Sequence, residues 1–393
     1  MESPFKATLA DTKFNTRDVD AGFGDEKWIG PAISRSLPSK PSSKISSVER
    51  VLRTLRFEEV DRPPIYDSLR NNAVIEYYSD RRLNPENGRE ATLEAISKTL
   101  DATKSFIRFP QAPRSEERDG FVIRVDEWTE WVERTPFETE EEFRSWVKAQ
   151  VSRYEGWGNR LEAKLGELVA DFMDKKQRLG DTVLFWAIAD LGFTSAYNAC
   201  GLERFSYLAV DEPALLSEWL ETRCDENVQL IRHLCYPELS PVAFVGEDIA
   251  YKGGLLFSPS WLRREFFPRL KRLVAAYHER GIRVIYHSDG RLWEVMDDLV
   301  DCGIDGLNPI EVVAGMEIKR LRREYPGLVL IGGIDISQLL AFGTPEEVKK
   351  ATLEAIRDGG RGYFVASTSE LHKNIPLENV IAMWETVWSL TME

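Results

Sequence analysis

Cysteine is scarce in this chain. Only Cys200, Cys224, Cys235 and Cys302 occur in 393 residues, and no two of them form a CxxC pair. A disulfide framework is therefore not expected, and a reduced, cytoplasmic setting fits best. Positive charge is also in deficit. Lysine and arginine number 51 against 65 acidic residues, and the net charge of −14 opposes binding to nucleic acid or to an anionic membrane. No run of 18 apolar residues occurs, and the opening MESPFKATLADTKF has neither a basic start with an apolar core nor a small-residue cleavage site. The expectation is a soluble, unexported chain without a membrane span. Phosphate loops are missing as well: no GxGxxG opens a helix after the first strand, and no GxxxxGK[ST] occurs.

What is present suits a folded enzyme, with 43% hydrophobic and 30% charged residues. The stretch Arg283-Val-Ile-Tyr-His-Ser-Asp-Gly290 runs from a mostly apolar opening into His287, Ser288, Asp289 and a glycine. It reads as a buried parallel strand ending in a polar turn. Strand candidates near residues 63, 106, 183, 243, 284, 305, 329 and 363 alternate with helical patterns. Eight such units favour an α/β fold of the irregular (β/α)8, TIM-like barrel type. Residues 1–45, rich in Ser, Pro and Lys near their end, read as an arm or linker with Phe5, Phe14, Phe23 and Trp28 as spaced anchors. The barrel is then expected over 46–393. Phe106–Phe109 is read as its second strand, and residues 119–135 as a small antiparallel excursion resembling a flap. Ser46 to Glu49 and Thr139 to Glu142 have capping-box spacing. Ser258-Pro259 opens a helical seam that continues to Gly281.

Chemistry in such barrels sits at the C-terminal ends of the strands. His287 and Asp289 end one strand there, and Glu247 and Asp248 end another at Gly246-Glu247-Asp248. His287, Asp289 and Glu247 are the catalytic candidates. His287 serves either as an acid/base group or as a metal ligand, and Asp289 either as a functional carboxylate or as a cap for the next turn. Asp248 is read as a substrate contact or a turn cap. Tyr197, Asn308 and Asp335 lie near expected strand ends, where they can hydrogen-bond a small-molecule substrate. His233 and His278 fall on helices and read as structural.

The ordered set DRPPI, LGFTSAYNACGLERF, DEPALL, GGLLFSPSWLRREFFPRLKRLVAAYHERG, HSDG, GIDGLNPIE, GGID and GGRGYFVASTSELHKNIPLENV resembles the uroporphyrinogen decarboxylase superfamily over roughly residues 46–393. It is more similar to the branch of corrinoid-dependent methyltransferases, such as methylcobalamin:coenzyme M methyltransferases, than to the porphyrin decarboxylases. Where the decarboxylases carry an arginine-rich RQAGRY loop, this chain has Asp67-Ser-Leu-Arg-Asn-Asn72. Where the thiol-methylating branch carries a His-x-Cys plus a later Cys, this chain has His287, Asp289 and Ser369. The resemblance thus implies a zinc site of harder donors, with His287 and Asp289 joined by one of Glu247, Asp248 or Glu370. It also implies methyl transfer between a small, methoxylated substrate and cobalamin on a corrinoid carrier protein, as in O-demethylation. Two alternatives stand beside it: a metal-independent decarboxylase or lyase using His287 and a carboxylate, and a non-catalytic small-molecule binding barrel.

Overall fold

The computed structural model describes residues 38–153 and 157–392. Phe5, Phe14, Phe23 and Trp28 of the expected arm lie outside the described residues. The end of that stretch is tied to the body, since Lys40 Nζ donates to Ser47 Oγ at 2.9 Å, Leu100 O at 3.2 Å and Asp181 Oδ1 at 3.0 Å.

Five strands form one parallel sheet. Val242–Gly246 pairs with Arg283–His287, which pairs with Gly306–Asn308, then Val329–Ile334, then Tyr363–Ser367. Ala102–Lys104 pairs in parallel with Val183–Phe185. Single parallel bridges supply the junctions: Trp186 with Ala243, Tyr66 with Ala102, and Ile65 with Val365. Parallel pairing therefore passes through eight segments and returns to the first, the arrangement of an α/β barrel. These runs are short, apolar and buried on both faces, as parallel strands between helices require. Val183, Phe185, Val242, Phe244, Ile285, Val329 and Ile331 belong to one buried cluster, and their alternates Leu184, Ala243, Val245, Val284, Tyr286 and Leu330 to another. The first cluster fills the barrel interior. Val51 and Leu55 of the helix Ser47–Leu55 join it from one end.

Several expectations shift. The second strand is Ala102–Lys104, not Phe106–Phe109; the helix Gly88–Thr99 stops where Leu100 turns extended, and Phe106 is 53% exposed. The single helix expected up to Gly281 is two, Pro259–Glu265 and Phe267–Glu279. Pro268 causes the break, since it lacks an N–H and its ring crowds the carbonyl four residues back. The excursion is a three-stranded antiparallel sheet, Arg114–Arg118, Phe121–Val125 and Glu130–Arg134, starting five residues before the expected 119. Thr139 closes a full capping box with Glu142, whereas at Ser46 only half forms because Glu49 turns to Arg53 instead. A final helix, Leu377–Ser389, has no counterpart among the expected elements; it buries Val380, Met383, Trp384 and Val387.

Two buried carboxylates tie the first segment into the ring. Asp101 is fully buried, contacts Arg50 at 2.9 Å and Arg62 at 2.5 Å, and accepts from Ile65 N at 2.9 Å. Although burial opposes its ionisation, the Arg62 and Arg50 guanidinium groups hold its carboxyl down at about 2. Asp67 accepts from Ser68 N, Ser367 N and Ser367 Oγ at 3.0, 3.0 and 2.7 Å. Among the described residues no cation pairs with it, and burial lifts its carboxyl to about 7.

The two acids give opposite predictions. Asp101→Asn leaves two buried guanidinium groups short of a charge and should cost about 3–5 kcal/mol in denaturant unfolding; a loss under about 1 kcal/mol would contradict the structural role. The Asp101 contribution is present above the usual carboxylate pKa and is lost as pH falls towards 2. Asp67 has the reverse sign. Its folded pKa is raised, so the native state loses up to about 4 kcal/mol as pH climbs from 4 through 7, and Asp67→Asn lacks that component. Unfolding free energies at pH 5 and pH 8 should therefore shift in favour of Asp67→Asn at the higher pH, and an unchanged gap would show that Asp67 is ionised throughout.

Candidate functional site

Alternation along two neighbouring strands builds the site. Ile285 faces the barrel interior, so His287 faces it too, and the chain continues to Asp289. Next to it, Val242 and Phe244 face inward, followed by Gly246 and then Asp248. Asp248, His287 and Asp289 each offer one ligand atom, and these atoms lie within 4.8 Å of one another. All three residues are half-buried.

The imidazole is held from behind. His287 Nδ1 lies 2.7 Å from Asn308 Oδ1, while Asn308 Nδ2 donates to Ile331 O at 3.3 Å, which orients the amide with its oxygen towards the ring. Nδ1 therefore carries the proton, and Nε2, 3.9 Å from Asp248 Oδ1, keeps its lone pair for the cluster. Asp289 N donates to Asp248 Oδ1 at 3.0 Å, and Ser369 Oγ lies 3.4 Å from Asp289 Oδ2. Burial raises the Asp289 carboxyl above its ordinary range, and the charge of Asp248 adds to it. Two backbone conformations support the cluster. Gly290 has φ +94°, and a Cβ there would run into the backbone of Ala250 and Tyr251, so only glycine lets the Asp289 turn pack this closely. Ser369 has φ +93°, a costly conformation for a residue with a side chain.

The other expected site residues divide. Tyr197, Asp248, Asp289, Asp335 and Ser369 line a common cavity of about 410 Å³, large enough for a small molecule. Tyr197 OH donates to Asp248 O at 3.2 Å, and burial pushes its phenol up to about 12. Asp335 spends its carboxylate on the backbone N–H groups of Ser337, Gln338 and Leu339, which hold it below the ordinary range despite partial burial. Glu247 falls on the outward row with Ala243 and Val245. Its carboxylate accepts from Phe193 N at 3.2 Å and Thr194 N at 2.6 Å at the start of the helix Phe193–Cys200. Burial, with the charge of Asp190 adding to it, raises its carboxyl to about 8. Glu370 is engaged by Arg70 at 2.6 Å. Of the three acids weighed as a third ligand, Asp248 is the one whose carboxylate joins His287 and Asp289. His278 and His233 contact Asp305 and Gln229 O at 2.8 Å, away from the cluster.

Three further residues near the site were not expected. Glu311 lines the cavity and accepts from Gly290 N at 2.6 Å; the acid in the NPIE stretch was its signal. Lys104 ends the strand Ala102–Lys104 with its Nζ 5.0 Å from the Phe244 ring centre. Burial, together with the Arg70 charge, lowers its ammonium to about 8. Placing the strand at Phe106–Phe109 concealed it. Arg70 sits at the barrel mouth, where Leu69–Arg70 pairs with Leu371–His372.

One solved structure agrees with this architecture. A methyltransferase from Methanosarcina mazei matches with a TM-score of 0.64 over 87% of this chain and 98% of its own, at 17% identity, a likeness of fold. A B12-independent methionine synthase from Shewanella sp. W3-18-1, in complex with selenomethionine, covers 84% of this chain and 96% of its own at 10% identity and a TM-score of 0.41. No curated protein matches the chain. The family model described as uroporphyrinogen decarboxylase (URO-D) matches residues 149–390, more than half of the 393, and the chain therefore belongs to the uroporphyrinogen decarboxylase family.

Proposed function

We propose that this protein is a methyltransferase. It moves a methyl group between a small, methoxylated substrate and a corrinoid on a partner protein, with zinc held by Asp248, His287 and Asp289. The observation that carries the reading is the convergence of one imidazole and two carboxylates within 4.8 Å at the barrel mouth. One free imidazole nitrogen and two acids make a donor set that suits zinc with three protein ligands and an open position. The Methanosarcina methyltransferase, of like fold, is in keeping with it.

When bound, zinc would supply a Lewis acid for the oxygen whose bond to methyl breaks. The remaining work falls to the chain. Asn308 keeps the proton on Nδ1 of His287, so that Nε2 stays a ligand rather than an acid. The Asp289 N–H holds Asp248 in place, and Ser369 does the same for Asp289. The cavity lined by Tyr197, Asp335 and Glu311 receives the substrate beside these groups. Breaking the ether bond would leave its electron pair on oxygen, and the partner's corrinoid would supply the nucleophile that accepts the methyl group.

The test incubates zinc-supplied protein with cob(I)alamin and a series of methoxylated small molecules and follows methylcobalamin by absorbance. Methylcobalamin should form with at least one compound, chelation should abolish it, and Asn308→Leu should lower the rate by about 10–100-fold. Activity that survives complete removal of metal would overturn the reading. Zinc-independent release of carbon dioxide would favour the decarboxylase alternative instead.

A further inference from the structure

We propose that Lys104 binds a carboxylate of the substrate, so that the molecule whose methyl group is moved is a small carboxylic acid in its anionic form. This deepens the methyl-transfer reading and rests on it for the neighbouring zinc.

Position comes first. Ala102 faces the barrel interior, so Lys104, two residues on, faces it as well. Its Nζ lies 5.0 Å from the centre of the Phe244 ring, and the His287 ring lies 5.1 Å from the same centre. Lysine and histidine thus flank one aromatic ring. Gly246, the next inward residue after Phe244, adds no side chain there. A Cβ at Gly246 would meet Phe244 and His287 at 3.8 and 3.9 Å, ordinary contact distances, so the backbone leaves room for a small group beside that ring and the imidazole.

Charge comes second. Around this opening the other cations already have acids: Arg70 holds Glu370 at 2.6 Å, and Arg108 lies 3.9 Å from Glu130. Among the described residues, Lys104 makes no hydrogen bond or ion pair; Phe244 is its ring contact. A half-buried ammonium without an acceptor is costly unless something supplies one. Asp289 and Glu370 act on it only through longer-range charge, and each has a nearer partner, Ser369 and Arg70. A divalent ion on Asp248 and Asp289 would cancel their two charges and leave Lys104 with none to balance it. A carboxylate supplies the missing charge and the acceptor together. It would also fix one end of the substrate while the methoxy oxygen faces the cluster.

The experiment is calorimetric titration of methoxyacetate and its neutral counterpart methoxyacetamide into the full chain, with and without zinc, beside a separate metal analysis. The wild type should prefer the anion by about 10-fold or more, as expected for a charge-assisted bond. Lys104→Met should lose that preference while keeping the wild-type circular dichroism, and Lys104→Arg should recover part of it. Lys252→Met removes another lysine of the outer cavity and should keep the preference. Gly246→Val should weaken both ligands by filling the opening. Equal preference in Lys104→Met, loss in Lys252→Met instead, or no binding of methoxyacetate by wild type at millimolar concentration would each overturn the assignment. If metal analysis finds no zinc, the methyl-transfer reading falls, yet the anion preference of the zinc-free protein still decides the role of Lys104.

Discussion

Side chains two apart on a parallel strand point to the same side of the barrel wall, and everything at this site follows from that alternation. On one strand it stacks Ile285 below His287, and on the next it stacks Phe244 below Gly246. The same rule brings Lys104 into the interior and sends Glu247 out to the helix Phe193–Cys200. A shift of one residue in register would bring Glu247 to the place of Gly246 on one strand, and Tyr286 or Ser288 to the place of His287 on the other. Sheet register is therefore a chemical specification here as much as a structural one.

Register has to be held at the weakest part of the ring, where single bridges replace ladders. Asp101 does this on one side of the Ile65–Tyr66 segment, drawing Arg50, Arg62 and the Ile65 N–H to one buried carboxylate. Asp67 does it on the other side through Ser367. The two acids work differently. Asp101 is ionised and surrounded by guanidinium groups, whereas Asp67 meets hydroxyl and amide donors alone and is driven towards its neutral form by burial. Polar atoms at the mouth are likewise preassigned: Asn308 to His287, Asp289 N to Asp248, and Gly290 N to Glu311. Few donors there need to reorganise when a ligand arrives.

Much of this was legible in the sequence. Apolar runs that stop at His287, at Gly246-Glu247-Asp248 and at Gly332-Gly333-Ile334-Asp335 mark strand ends without ambiguity, and strand–helix alternation from residue 182 onward gives the architecture. Two kinds of fact were not legible. The first is which acid of an adjacent pair faces inward: Glu247 and Asp248 carry the same charge in the sequence, and the parity of the strand before them separates the two. The second is the position of a three-residue strand. Ala102-Thr103-Lys104 is too short to show a period, and the apolar, aromatic Phe106–Phe109 after it carries the stronger strand pattern. Lys104 was lost with that strand. Pro268, by contrast, was a visible signal for the break between the helices Pro259–Glu265 and Phe267–Glu279.

A zinc site made by two carboxylates and an imidazole is a claim about three named side chains, and metal content reads it directly. Protein supplied with zinc and then freed of loosely held metal should retain about one zinc per chain. Asp248→Ala, His287→Ala and Asp289→Ala should each retain far less, while Glu370→Gln, altering an acid already paired with Arg70, should retain as much as the wild type. Wild-type protein that emerges metal-free after this treatment would contradict the site, and so would zinc that leaves with Glu370→Gln but stays with Asp248→Ala.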